Sequence, residues 1–448
     1  MTDRFDLLVK GGTLVNHDGR GEGDVAVKDG RIAAIGQIDA GTAETVIDAS
    51  GLHVLPGVID SQVHLREPGL EHKDDLEQGG RAAVLGGVTA VFEMPNTKPA
   101  TTDVPALEDK ISRATDRMFC DFAFFGGATG RNGDDLRALE SAPGCCGIKM
   151  FMGSSTGSLL VHTDDGVREV LRAVRRRLTV HSEDEDMLRD RRELAEFGKV
   201  ETHPVWRSVE VAVSSTTRLL RLAREAGGRV HVLHVSTAEE VPLLAAAKDV
   251  ATMELLPQHL TLTAPDCYER LGSLAQMNPP IRDARHREAL WKALRDGVVD
   301  VIGSDHAPHT LEEKRQPYPK SPSGLPGVQT LVPIMLNHVN EGRLSLERFV
   351  DLTSHGVQRV FGLAGKGRMA VGYDGDLTLV DMGATRAISN DWIASKCGWT
   401  PFDGMQVKGW PMATIIRGRV VMRDDEIQGE AGGQACTFME ALPKRTAP

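Results

Sequence analysis

Five side chains that could bind a metal ion or move a proton lie at the ends of short apolar segments. Imidazole and carboxylate groups are the usual ligands of zinc-like divalent ions. A site for two such ions also needs a group that bridges them. A lysine in such a place is costly unless it is neutralised or paired. The five residues, which together indicate a metal site, are His64, Lys149, His181, His234 and Asp305.

Each of these residues also has an ordinary structural explanation when it is taken alone. A single histidine at a strand end, such as His181, is more often a hydrogen-bonded structural residue than a ligand. Lys149 could extend to solvent or pair with an acid, and the run from Asp305 to His309 could be only a loop with a proline turn. These explanations lose weight because all five residues occur together, on different strand-like segments and in barrel order.

The segments that must position these residues alternate between strand-like and helical patterns. Between residues 56 and 365, eight apolar strand-like runs are each followed by a helix or a long loop. Such a series predicts a (β/α)8 barrel of the TIM type, with its reactive groups at the carboxyl ends of the strands. A doubly wound open sheet is the alternative. It loses support because the chain has no GxGxxG after its first strand and no GxxxxGKS/T motif.

The two ends of the chain share a different pattern, in which short alternating strands are broken by tight turns. Because chain termini often lie close in space, we expect both ends, including a strand near Thr437, to form one small antiparallel β domain, a β-sandwich. The sequence therefore predicts an α/β protein. Its composite β domain spans residues 1–55 and 366–448, and its barrel spans residues 56–365.

Composition narrows the function and the location. The 448 residues include 52 Lys and Arg against 63 Asp and Glu, and the net charge of -11 argues against broad binding to nucleic acid or to an anionic membrane. The first residues lack the apolar segment of a secretory signal, and no apolar run is long enough to span a membrane. The six cysteines show no CxxC spacing. We therefore expect a cytoplasmic protein with reduced thiols.

Several long motifs, in order, resemble the amidohydrolase superfamily and most closely its dihydroorotases. The resemblance covers essentially the whole chain, which makes it far more specific than a short pattern. It implies the barrel and the small β domain that the alternating patterns also predict. The motifs are LPGVIDSQVHLREPG, DLEQGGRAAVLGGVTAVFEMPNTKP, GIKMFMGSSTG, VIGSDHAPH and GWPMATIIRGRVV.

The resemblance implies a zinc site with one or two ions at the barrel mouth. His64 and Asp305 would bind one ion, and His181 and His234 would bind the other. Lys149 resembles the lysine that CO₂ carboxylates in many members, and its carbamate would bridge the two ions.

One position departs from the family pattern. The family has His-x-His at the end of the first strand, and this chain has Gln62-Val63-His64. A neutral amide is a poorer zinc ligand than imidazole. Three outcomes follow: a single ion, two ions with the first held weakly, or a catalytically weak relative. Because the other ligands are all present, we favour an active enzyme.

Four further residues match substrate-binding positions of the dihydroorotases: Arg66, Asn96, Arg282 and His309. Dihydroorotate carries a carboxylate, which suits arginine and amide donors. Hydantoins, dihydrouracil and allantoin carry none. Hydantoinases place a tyrosine near the GSSTG segment, and this chain has none there. The structural alternatives are a salt bridge between Arg66 and Glu67 and a turn role for Asn96.

The resemblance implies reversible hydrolysis of L-dihydroorotate to N-carbamoyl-L-aspartate, as in de novo pyrimidine biosynthesis. Asp305 would act as general base and then as general acid. The alternatives are another cyclic amidase (hydantoinase, dihydropyrimidinase or allantoinase) and a non-catalytic subunit of aspartate transcarbamoylase, which Gln62 favours. We expect a homo-oligomer, a dimer or tetramer, with a possible aspartate transcarbamoylase contact.

Overall fold

The computed structural model describes residues 4–154 and 159–439. The strands are β1 (Phe5–Asn16), β2 (Gly19–Lys28), β3 (Arg31–Gly36), β4 (Ala43–Asp48), β5 (His53–Pro56), β6 (Val58–Val63), β7 (Val88–Glu93), β8 (Asp121–Gly127), β9 (Cys145–Phe151), β10 (Leu178–His181), β11 (Val230–Val232), β12 (Ala251–Leu255), β13 (Val301–Ile302), β14 (Leu377–Ala387), β15 (Gln406–Ile416), β16 (Arg419–Arg423) and β17 (Glu426–Ile427).

Each barrel strand is followed along the chain by one or more helices. They are α1 (Leu76–Leu85), α2 (Val104–Ala114), α3 (Gly133–Ser141), α4 (Asp164–Ala173), α5 (Glu185–Asp190), α6 (His203–Trp206), α7 (Val209–Ala226), α8 (Glu240–Ala245), α9 (Pro257–Thr261), α10 (Asp266–Leu271), α11 (Ala284–Arg295), α12 (Leu311–Lys314), α13 (Leu331–Asn340), α14 (Leu346–Val350) and α15 (Gly356–Phe361).

Several of these helices begin where the sequence supplies a capping side chain. The side chains of Asp75, Asp103 and Thr163 each accept a hydrogen bond from a backbone N–H in the first turn of one helix. These helices are α1, α2 and α4, respectively. Asp283 does the same at the start of α11. Such caps satisfy amide groups that the helix itself leaves without a partner. Local sequence thus fixes where these helices start relative to the strands before them.

The eight strands β6 to β13 form one parallel sheet that closes into a barrel. They pair in chain order, and an isolated parallel bridge joins Val63 at the end of β6 to His306 just after β13. The His64 N–H also donates to the His306 carbonyl at 2.7 Å. Strands β6 to β9 are buried along their whole length, as expected where helices cover the sheet. The predicted (β/α)8 barrel is confirmed.

Both ends of the chain build a second sheet of nine strands. Its order is β17-β16-β15-β14-β5-β1-β2-β3, with β4 also paired to β1. The predicted β domain from both termini is therefore confirmed. The sheet is mixed rather than antiparallel, because β1 runs parallel to β4 and β5. The segment near Thr437 stays outside this sheet: Ala435 and Phe438 form isolated bridges with Phe122 and Leu363 instead.

A buried cluster of charges joins the amino end of the barrel to the terminal sheet. The Lys366 ammonium lies 2.6 Å from the Asp121 carboxylate of β8 and 3.0 Å from that of Asp374. Asp376 and Arg417 complete the cluster. Removing one partner from such a group leaves uncompensated buried charge. The cluster therefore fixes how the two sheets meet.

All six cysteines are buried and free. In the part of the chain that the structure describes, no helix is long and apolar enough to cross a membrane.

The buried charge cluster predicts a large effect of Lys366→Met on stability. The substitution leaves the Asp121 and Asp376 carboxylates short of a cation, so we expect a loss of about 3–5 kcal/mol in the free energy of unfolding. Urea unfolding followed by circular dichroism measures it. Lys320→Met, at an exposed lysine, is the control. A loss equal to that of the control would show that the cluster does not stabilise the fold.

Candidate active site

The five residues that the sequence singles out come together at the carboxyl ends of the barrel strands. His64 follows β6, Lys149 lies in β9, His181 ends β10, His234 follows β11 and Asp305 follows β13. All five line one cavity at the barrel mouth, together with Gln62, Asn278 and Ser323. Their convergence makes this cavity the candidate active site.

The first pair of candidate ligands is His64 and Asp305. The His64 Nε2 lies 3.2 Å from Asp305 Oδ1, and its Nδ1 lies 2.8 Å from the Asn96 amide oxygen. Since an amide oxygen only accepts, Nδ1 carries the proton and Nε2 presents its lone pair to the carboxylate. Burial lowers the pKa of His64 and favours this neutral ring. Two electron pairs that face each other in this way suit a bound cation.

The second pair is His181 and His234, whose Nδ1 and Nε2 atoms face each other at 3.0 Å. The other nitrogen of His181, Nε2, lies 2.8 Å from the Glu183 carboxylate. Burial would raise the pKa of Glu183, but the Arg207 guanidinium beside it lowers that pKa to about 2. An ionised Glu183 accepts the Nε2 proton, so His181 turns the lone pair of Nδ1 toward His234, as a metal ligand must.

Lys149 is buried and lines the same cavity as the two pairs, and its charge lowers the pKa of His64, His181 and His234. Its ammonium makes no hydrogen bond with a described residue and lies 4.6 Å from the centre of the Phe151 ring. Burial lowers the pKa of Lys149 to about 7. A substantial fraction of this amine is therefore uncharged at neutral pH.

The donor atoms form two pairs rather than one cluster. Within residues 4–154 and 159–439, no three His, Cys, Asp or Glu side chains are grouped so that they could hold a metal ion by themselves. A further anionic donor would complete each pair to three ligands. Lys149 lines the same cavity as both pairs.

Gln62 occupies the position where the family pattern has a histidine. Its amide nitrogen donates to Asp305 Oδ1 at 2.9 Å. Its amide oxygen is buried and has no hydrogen-bond partner among the described residues. Gln62 therefore orients the Asp305 carboxylate and leaves one acceptor atom unsatisfied beside the first pair.

Three of the candidate residues have unusual backbone conformations. His234, Asp305 and Arg66 have φ values of 38°, 46° and 69°. Residues with a side chain rarely adopt positive φ, and such conformations concentrate at functional sites. Contacts on either side of Asp305 hold its loop: Ser304 donates its N–H to Asp60, and His306 lies 3.0 Å from Asp74.

Arg66 is buried beside the site without a carboxylate partner among the described residues. Its Nε donates to the Pro308 carbonyl at 3.0 Å, and its Nη2 lies 3.2 Å from His309 Nε2. The alternative of a salt bridge between Arg66 and Glu67 is wrong, because Glu67 pairs with Arg117 at 2.8 Å. The structure thus brings Arg66 and His309 together behind the cavity.

The other two predicted substrate contacts are placed differently. Asn96 contacts His64, so it acts at least as the orienting partner of that ring. Arg282 is buried. Like Arg66, Asn96 and His309, it is not among the residues that line the cavity. Its guanidinium donates to Ser236 and to the carbonyls of Arg207 and Ser208. Residues 155–157 of the GSSTG segment lie outside the described residues.

The sequence reasoning missed Glu183 and Glu254. Glu183 follows His181 by two residues, and this close spacing of a carboxylate and a histidine was the available signal. Glu254 lies in the apolar strand β12, where burial and the neighbouring Asp305 raise its pKa to about 8. Its carboxyl group accepts hydrogen bonds from the Ser61 hydroxyl at 3.3 Å and from the His234 backbone N–H at 3.4 Å.

Comparison with known proteins identifies the family of this chain. Residues 53–421 match the amidohydrolase family. The dihydroorotase of Halobacterium salinarum is 38% identical, over 91% of this chain and 98% of its own. The L-hydantoinase of Paenarthrobacter aurescens is 35% identical over 97% and 98% of the two chains. An Escherichia coli allantoinase is 34% identical over 93% and 95%.

Among solved structures, an L-hydantoinase (dihydropyrimidinase) from Arthrobacter aurescens superposes with a TM-score of 0.93. It is 34% identical, and the match covers 97% of this chain and all of that one. The fold and these similarities thus define a barrel hydrolase. The chain belongs to the amidohydrolase family, and its relatives include a dihydroorotase, an L-hydantoinase and an allantoinase.

Proposed function

We propose that this protein is a metal-dependent dihydroorotase that hydrolyses L-dihydroorotate reversibly to N-carbamoyl-L-aspartate. The observation that carries the proposal is Arg66, a buried guanidinium beside His64 with no carboxylate partner in the described chain. Nearby carboxylates act on Arg66 without contacting it, and a buried guanidinium is more stable with a directly bound carboxylate. Dihydroorotate supplies such a carboxylate, whereas hydantoins, dihydrouracil and allantoin do not.

The donor atoms fit zinc, which takes imidazole and carboxylate ligands. His64 and Asp305 would hold one ion, and His181 and His234 would hold the other. We infer that the uncharged amine of Lys149 reacts with CO₂ and loses a proton, and that the resulting carbamate would be a further ligand for both ions. When bound, the metal polarises the substrate carbonyl and lowers the pKa of water.

The residues of the chain supply the proton transfers and the alignment. Asp305 accepts a proton from the attacking water and delivers it to the ring nitrogen as the carbon–nitrogen bond breaks. Gln62 holds the Asp305 carboxylate in place for both steps. Arg66 and His309 bind the substrate carboxylate, and Asn96 contributes a further polar contact. Arg282 would have to break its hydrogen bond to the Arg207 carbonyl before it could contact the substrate.

Ring closure, the reverse reaction, would serve de novo pyrimidine biosynthesis. We further infer a cytoplasmic homo-oligomer, a proposal that rests on the composition and on the resemblance to dihydroorotases. Contact with aspartate transcarbamoylase remains a prediction of the same kind. A second candidate activity is hydantoin hydrolysis, which the close superposition with the L-hydantoinase favours.

The first test is turnover of L-dihydroorotate by the zinc-loaded protein, measured by ultraviolet absorbance beside hydantoin, dihydrouracil and allantoin. We expect chelator-sensitive hydrolysis of dihydroorotate. Arg66→Gln should raise KM for dihydroorotate by about tenfold or more, because a charged hydrogen bond is lost. Arg295→Gln, at an exposed arginine, is the control.

Two outcomes would contradict the proposed substrate. Faster turnover of an uncharged cyclic amide, unaffected by Arg66→Gln, would identify a hydantoinase or allantoinase. No turnover of any of these compounds by folded, zinc-loaded protein would favour the non-catalytic subunit or a different cyclic amide as substrate.

Asp305→Asn should lower kcat by about 10²- to 10⁴-fold, because the amide cannot accept the proton. Steady-state kinetics, metal analysis and circular dichroism together separate a lost proton transfer from a lost ion or a lost fold. Asp391→Asn, at an exposed aspartate, is the matched control. If the variant keeps both its zinc and a near-normal kcat, Asp305 is not the group that transfers the proton.

Gln62→His should tighten the ion on the side of His64 and Asp305, because imidazole is a better zinc ligand than an amide. After dialysis against a weak chelator, we expect about one zinc per chain in the unaltered protein and about two in the variant. Inductively coupled plasma mass spectrometry counts the ions. Equal zinc contents would show that Gln62 does not limit binding at this position.

A further inference from the structure

A second cavity, of about 670 Å³, lies outside the candidate active site. Its walls come from α10, α11 and α12 of the barrel and from residues 390–405, which lie between β14 and β15. The volume falls within the range of about 300–1,000 Å³ that is typical of small-molecule pockets. The mechanism proposed above gives this cavity no role.

The cavity combines apolar walls with basic side chains. Leu271, Leu274, Leu311 and Phe402 contribute apolar surface. Such a surface accepts a flat, apolar body, since burying it removes apolar area from water.

The charged lining favours an anion. It contains Arg270, Arg287 and Arg315 against Asp266 and Asp403, so the sum is positive. Arg270 and Arg315 form no side-chain hydrogen bond or ion pair with any described residue, although Arg287 lies 3.3 Å from Glu288. Asp403 already accepts the N–H of Asn390 at 2.8 Å. Free guanidinium groups of this kind bind phosphate, sulfonate or carboxylate oxygens.

Two connections run from this cavity to the candidate active site. Trp399 lines the cavity and donates its indole N–H to the His309 carbonyl at 2.8 Å. The His309 ring in turn lies 3.2 Å from the Arg66 guanidinium. An occupant that displaces Trp399 would therefore act on the pair proposed to hold the substrate carboxylate.

The second connection runs through the short helix α12. Leu311 and Arg315 line the cavity at either end of it. Between them, Lys314 donates to the carbonyls of Pro322 at 2.9 Å and Gly324 at 3.1 Å. Gly324 lines the active-site cavity. Through Lys314, α12 therefore connects the lining of the second cavity with Gly324 at the active site.

We propose that this cavity is a second ligand site, which binds a small aromatic anion and changes substrate affinity through Trp399 and α12. The ligand presents its ring to the leucines and Phe402, and its phosphate, sulfonate or carboxylate to Arg270 and Arg315. Coupling follows if the occupied and empty cavities hold His309 and the Gly324 loop differently, because each ligand then shifts the affinity for the other.

The binding half of the proposal is tested with 8-anilinonaphthalene-1-sulfonate, which joins an aromatic body to one sulfonate. Fluorescence titration of the zinc-loaded protein should show saturable binding of one probe per chain. The double variant Arg270→Gln/Arg315→Gln should bind it at least about tenfold more weakly. The matched double variant Arg131→Gln/Arg295→Gln, at two exposed arginines outside the cavity, should bind it normally.

Two results would overturn this assignment. Equal probe affinity in both double variants would place the bound probe elsewhere. Absence of binding, with a change of oligomeric state in Arg270→Gln/Arg315→Gln by light scattering, would make the cavity an interface between copies of the chain. This titration needs no turnover, so it stands or fails independently of the proposed substrate.

The coupling half is tested with the compound of the substrate panel that the protein hydrolyses fastest. Saturating probe should change its KM by about fivefold or more. The double variant Arg270→Gln/Arg315→Gln should keep the basal KM and lose this response, and Trp399→Phe should still bind probe but respond less. An unchanged KM at saturating probe would show that the two cavities are independent.

Discussion

Closure of the barrel between its first and last strands is the constraint on which the site depends. His64 and Asp305 are far apart in the chain, and they meet because Val63 pairs with His306 and the His64 N–H donates to the His306 carbonyl. Pairing fixes the two backbones, and the positive φ of Asp305 turns its carboxylate to within 3.2 Å of the His64 ring. A parallel barrel places all strand ends at one mouth, so the other candidate ligands follow from the same closure.

Buried partners then determine which atoms of these side chains face the cavity. Asn96 holds the proton of His64 on the far nitrogen, and Glu183 does the same for His181. Glu183 stays ionised although it is buried, because Arg207 lies against it. Such partners preorganise the donor atoms, so little reorganisation is needed when a cation binds.

The terminal sheet does more than cap the barrel. The segment between β14 and β15 reaches the barrel mouth, where Ser395 donates to the Asp74 carboxylate at 2.6 Å and Trp399 donates to the His309 carbonyl. Asp74 lies against His306, the residue after Asp305. The loop that carries Asp305 and His309 is therefore held from both sides. The same segment forms a wall of the second cavity. A ligand bound there would therefore affect the active site through the contact between Trp399 and His309.

The sequence by itself determined the eight barrel strands and the positions of the candidate ligands, because apolar periodicity and strand ends are local properties that each segment carries in its own residues. It also placed both termini in one β domain. It could not determine the parallel pairing of β1 with β4 and β5, or the pairing of Ala435 with the barrel. These are long-range contacts that no local pattern specifies.

The same distinction holds within the site. The motifs identified Arg66, Asn96, Arg282 and His309, but only the tertiary structure decided what each side chain contacts. In the folded protein, Arg66 contacts His309 and Asn96 contacts His64. Arg282 donates hydrogen bonds to Ser236 and to main-chain carbonyls. Residue type sets which bonds a side chain can form. Which of those bonds it makes depends on the groups that folding brings within about 3 Å of it.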